Sequence, residues 1–135
     1  MPKFAPGFRC SVTDMTIIIL GLLGATVLQI AARWGGFVVG FVLANFFLIC
    51  NVFRISRPLE LAWSAMFVAL ASGTIIFGYP GWFITIAISL CITVGVVAIE
   101  MRKPSYHGIG WRWINPGLPA WWESNVARAP ERAIE

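Results

Sequence analysis

Charge is scarce in this chain and histidine nearly absent, and both shortages narrow what it does. Only 12% of the 135 residues are charged. None of them stands inside four long apolar stretches, Met15–Ala32, Gly35–Phe53, Leu61–Gly78 and Trp82–Ile99. A proton-coupled transporter places an acid within a span, and these spans have none. The single histidine, His107, lies beyond the last stretch. Bis-histidine haem ligation and a His-rich metal centre are therefore excluded from the spans' own side chains. Cys10, Cys50 and Cys91 include no CxxC pair and read as small packing residues rather than disulfides or metal ligands. There is no Ser/His/Asp set, no phosphate-binding glycine loop and no cluster of carboxylates, and no histidine in the spans to activate Cys50 or Cys91. The expectation is a protein that is not an enzyme, with no metal and no predicted cofactor. A bound lipid or pigment would suit so apolar a chain.

What is present is hydrocarbon. The sequence is 59% hydrophobic with a mean hydropathy of +0.80. Each apolar stretch has about 18 residues, which at roughly 1.5 Å per residue covers most of a hydrocarbon core of roughly 30 Å. A backbone in lipid must satisfy its own hydrogen bonds, so the stretches are expected to be helices. The fold class is an all-α integral membrane protein, a four-transmembrane-helix bundle of two antiparallel hairpins. It divides into an N-terminal segment 1–14, a transmembrane domain 15–100 and an interfacial tail 101–135.

The net charge of +4 speaks for topology rather than for a nucleic-acid partner. Lys3, Arg9, Arg54, Arg57, Arg102, Lys103 and Arg112 fall at one end of the spans, and Arg33 alone falls at the other. The positive-inside rule then puts both termini and the Arg54–Glu60 loop in the cytoplasm, with the chain in a cytoplasmic (inner) membrane. The first apolar run is too long for the h-region of a cleaved signal peptide.

Local signals punctuate the spans. Ser11 and Asp14 have capping-box spacing before the first. Arg33-Trp34-Gly35-Gly36 and Gly78-Tyr79-Pro80-Gly81 are short turns at the outer end. Ser56 is the expected N-cap of the third helix, with Pro58 in its first turn. Glu60 and Glu100 are expected in interfacial ion pairs with the arginines and lysine around them.

Two sets of residues point to helix contacts. Lipid gives helices no hydrophobic reason to associate, so close approach along small residues is how they gain contact. Such stripes are Gly21 and Ala25; Gly36, Gly40 and Ala44; Ala65, Ala69 and Gly73; and Ala87, Cys91 and Gly95. They predict the tightest interface between the second and third spans, with Phe41, Leu48 and Val52 turned to lipid or a partner. The carboxamides Gln29, Asn45 and Asn51 are expected to make interhelical polar contacts, whereas the hydroxyls of the spans can bond their own helices.

The tail differs from the rest. Glycine and proline interrupt it from Pro104 onward, yet it carries Tyr106, Trp111, Trp113, Trp121 and Trp122. Indoles favour the headgroup layer and protein interfaces, so Trp111, Arg112, Trp113, Trp121 and Trp122 are the expected docking residues, with a short helix from about Leu118 to Arg128. The functional expectation is a non-catalytic accessory or structural subunit of a larger bacterial-type inner-membrane complex, whose partners are the lipid bilayer and other integral membrane subunits. The alternative is a small homo-oligomeric channel or transporter, for which Asn45 and Asn51 are the polar residues at hand.

Overall fold

A computed structural model of the chain describes residues 4–127. Lys3, counted among the basic residues of one end, and the tail from Arg128 lie outside the described residues. Every regular element among the described residues is helical. Four helices are long and apolar enough to cross a membrane: α1 (Val12–Ala31), α2 (Gly35–Val52), α3 (Arg57–Phe77) and α4 (Trp82–Met101). Two short helices follow, α5 (Trp111–Ile114) and α6 (Leu118–Trp122), the second continuing as a widened π turn over Glu123–Ala127.

The capping box of α1 forms in full. The Ser11 amide donates to Asp14 Oδ2 at 2.7 Å and the Asp14 amide donates to Ser11 Oγ at 3.1 Å, so amides that α1 leaves without intrahelical partners are satisfied. Ser56 is the N-cap of α3, but its side chain makes no capping bond; it is taken by α4, as described below. α3 ends at Gly78 with φ +69°, where glycine avoids the Cβ penalty of the left-handed region.

α2 is regular to Phe47 and widens into a π-helix over Leu48–Val52. The chain then reverses through Arg54, which holds the left-handed region at φ +51°, and the Ile55 amide returns to the Ile49 carbonyl at 2.9 Å. This reversal buries Ile49 and Ile55 against Trp63 and Val96, with Phe41, Cys50 and Phe67 packed around them.

The most extensive packing runs between consecutive helices, α1 on α2 and α3 on α4. The interface expected to be tightest, between the second and third spans, is not the closest one found. Gly36 shows why: a Cβ there would overlap the carbonyl oxygen of Ala25 on α1, so the small residues at 25 and 36 let the backbones of α1 and α2 meet. Gly40 has open space where a Cβ would stand, Gly73 faces the Tyr79 carbonyl of its own turn, and Gly95 again has open space. Phe41, expected to face outward, instead lies 6.1 Å from the Phe67 ring, and Leu48 and Val52 are half-buried.

Candidate functional site

The polar groups of the spans converge on α4. Thr85, Ser89 and Thr93 are buried one helical turn after another, and Glu100 is buried two turns further on. Near the end that carries the two short turns, Thr74 Oγ1 on α3 and Thr85 Oγ1 share a hydrogen bond of 2.9 Å. At mid-height Trp63 Nε1 donates to Thr93 Oγ1 at 2.8 Å. That hydroxyl has one proton to give, either to Asn45 Oδ1 at 3.0 Å or to the Ser89 carbonyl at 2.8 Å. Asn45 Nδ2 donates in turn to the Phe41 carbonyl at 3.1 Å. α2, α3 and α4 therefore meet in one chain of bonds, and among the described residues no buried side-chain nitrogen or oxygen lacks a partner.

This arrangement sets the rotation of α3 and α4. A carboxamide or indole N–H turned toward lipid would keep an unmet bond, whereas alanine and glycine lose little by facing acyl chains that are as apolar as they are. Satisfaction of the polar groups wins, and the small-residue faces turn outward. Ala65 and Ala69 on α3, Ala87, Cys91 and Gly95 on α4, and Ala44 on α2 are exposed. Among the stripe glycines, Gly36 alone stands where a Cβ would meet the backbone of another span, at Ala25. Of the three carboxamides, Asn45 joins α2 to α4, and Gln29 stitches the first turn, accepting from the Phe37 amide at 3.1 Å and donating to the Arg33 carbonyl at 2.7 Å. The side chain of Asn51 makes no such bond; its carbonyl accepts from the Arg9 amide at 3.2 Å.

At the basic end, Glu100 is 4% exposed and is neutralised by a compact cluster. Lys103 Nζ lies 2.7 Å from Glu100 Oε2. Ser56 Oγ donates to the same oxygen at 2.8 Å and accepts from Lys103 at 2.8 Å. The start of α3 is thereby fixed to the end of α4, which is why Ser56 is not free to cap its own helix. Beside this cluster lies an open cavity of about 710 Å³, lined among others by Arg9, Arg54, Arg57, Glu60 and Asn51.

The tail is folded back onto these helix ends. The Ile109 amide donates to the Val52 carbonyl at 2.9 Å and the Gly7 amide to the His107 carbonyl at 2.7 Å. Gly108 sits where a Cβ would overlap the Phe53 carbonyl. Tyr106 is buried, its hydroxyl donating to the Ile109 carbonyl at 2.7 Å, and Asn115 Nδ2 reaches back to the Pro104 carbonyl at 2.6 Å. Burial, with the Glu100 charge adding to it, pushes the Tyr106 phenol above its ordinary range. Leu118 is fully buried. Phe4 meets Trp111 and Trp122 edge-on at 5.9 and 5.5 Å, and the Arg112 guanidinium lies 5.7 Å from the Trp111 ring centre. Trp111, Trp121 and Trp122 are half-buried in this way, so the expected docking group reduces on its open side to Arg112 and Trp113, the latter 93% exposed.

Among the described residues no three His, Cys, Asp or Glu side chains are grouped to hold a metal ion. Comparisons of the chain with protein-family models, curated proteins and solved structures find no match.

Proposed function

We propose that the chain is a non-catalytic accessory or structural subunit of a larger inner-membrane complex, built as a bundle of two antiparallel hairpins with both termini and the Arg54–Glu60 loop in the cytoplasm. The observation that carries this reading is the outward direction of the small-residue faces on α3 and α4. Ala65, Ala69, Ala87, Cys91 and Gly95 are exposed. Faces of this kind let a foreign helix approach closely, which is how spans gain contact in lipid. Exposed Trp113 beside Arg112 gives a second contact at the headgroup level, the place where indole and guanidinium groups engage proteins and lipids together. The partners that fit are other integral membrane subunits, not nucleic acid.

Photo-crosslinking amino acids at Ala69 and Ala87 in the native membrane test this reading. Crosslinks from both positions to other integral proteins are expected, with none from Thr85, which is buried inside the chain. Adducts to further copies of the same chain alone would replace the accessory reading with the homo-oligomeric channel or transporter.

A further inference from the structure

We propose that the open cavity at the basic end, together with the apolar cleft that adjoins it between α1 and α2, is a binding site for one anionic phospholipid. Two compartments of opposite chemistry meet there. The upper one has a volume of about 710 Å³ and carries three guanidinium groups, Arg9, Arg54 and Arg57. The lower one, about 150 Å³, is lined by Ile17, Ile18, Val42, Leu43, Phe46 and Phe47. Asp14, Phe46, Cys50 and Asn51 line both, so the two adjoin across a shared wall. A charged chamber adjoining a hydrocarbon cleft at a helix end has the shape of a lipid headgroup above the start of its acyl chain.

The charges favour an anion. Among the described residues the one ion pair is Lys103 with Glu100, and no carboxylate stands within pairing distance of Arg9, Arg54 or Arg57. Asp14 is committed to the Ser11 hydroxyl and amide, and Glu100 to Lys103 and Ser56. Arg54 gives one bond to the Ala5 carbonyl at 2.6 Å. Burial and the neighbouring Arg9 both disfavour its charged form. Hydrogen bonding to Ser11 leaves the Asp14 charge in place, where it acts on Arg9, so Asp14 and Glu60 together stand against three cations and leave an excess of one positive charge. Like charges held together at a membrane surface are relieved by an anionic headgroup, and basic pockets between spans bind such lipids. The cleft below gives a phospholipid a hold that free phosphate lacks.

The site is testable on the full chain in detergent, by native mass spectrometry with equimolar phosphatidylglycerol and phosphatidylcholine. The expected result is one phosphatidylglycerol retained per chain. The double variant Arg9→Gln/Arg57→Gln, which leaves the Arg54 contact with Ala5 in place, should weaken retention at least about tenfold. Ile18→Trp, which fills the cleft and changes no charge, should also weaken it, and Arg33→Gln, at the opposite end of the spans, should not. If the double variant does not fold, Arg9→Gln and Arg57→Gln taken singly are each expected to lower retention. Equal retention of the two lipids would overturn the proposal. So would displacement of phosphatidylglycerol by millimolar inorganic phosphate, or full retention in Ile18→Trp, since either result describes a simple anion site.

Discussion

The indole nitrogen of Trp63 on α3 donates to the hydroxyl of Thr93 on α4 at 2.8 Å, and through that hydroxyl the pair reaches Asn45 on α2. Three spans meet around this one hydroxyl, so Thr93→Val should cost more than its size implies. It removes the nearer acceptor of Trp63, leaving the Ser89 carbonyl at 3.3 Å, and the hydroxyl that reaches Asn45, while keeping the volume. Hydrogen bonds between membrane helices average about 0.6 kcal/mol each, and a loss of about 1–2 kcal/mol is expected. Reversible unfolding in mixed detergent measures it. A double-mutant cycle with Trp63→Phe should show the two losses to be non-additive; strict additivity would mean that the bond contributes nothing.

Gly36 and Gly40 separate close approach from open space on a single helix. Gly36→Ala places a methyl group onto the Ala25 carbonyl, a backbone atom that cannot turn aside, and should destabilise the α1–α2 pair by about 1–3 kcal/mol. Gly40→Ala meets nothing within 4 Å and gains helix propensity, so its thermal stability should equal or exceed that of the parent. Equal losses at the two positions would remove Gly36 as the α1–α2 contact.

Much of this was legible before any coordinates. The spans were, because lipid forces each backbone to bond internally, and so were the Ser11–Asp14 capping box and Asn45 as a group needing a partner. The rotation of each span was not. A helix that is apolar all round has no polar face to mark its outside, and the small-residue stripes at Ala65, Ala69, Ala87 and Gly95 marked the wrong side. The pattern that did mark the inside was Thr85, Ser89 and Thr93 at four-residue spacing, passed over because each hydroxyl can bond its own helix. Ser89 does bond its own helix, but the Thr93 hydroxyl, within reach of the Ser89 carbonyl, also accepts from Trp63 on α3 and can give its one proton to Asn45 on α2 instead. The tail's richness in rings was plain from the sequence, but not its return onto the helix ends, which depends on backbone bonds such as that of Ile109 to Val52.

Tyr106 sets an alkaline limit on the tail. Its phenol is protonated more persistently in the folded chain than in the unfolded one, so the stability is full below the ordinary tyrosine value of about 10 and is lost as pH rises from there toward the higher folded value. Tyr106→Phe should be less stable at neutral pH, through loss of the bond to Ile109, and should lose this part of the alkaline dependence. Thermal unfolding at pH 8 and pH 11 compares the two proteins; identical pH dependence would contradict the argument.

The proposed orientation rests on the basic residues at one end of the spans. In variants without the native cysteines, a probe cysteine replacing Tyr79 should react with an impermeant reagent added outside intact cells, and one replacing Ser124 should react only after lysis. The reverse pattern would invert the chain and every assignment of side that rests on it.

The central claim, that the chain is a subunit whose outward faces are covered by other membrane proteins, is tested most directly by the mass and composition of the particle extracted from its native membrane in mild detergent. The account predicts a particle containing other integral proteins, which Ala69→Trp or Ala87→Trp releases while the chain itself stays folded and inserted. A particle made only of copies of this chain, unchanged by those substitutions and conducting a solute when placed in liposomes, would contradict it.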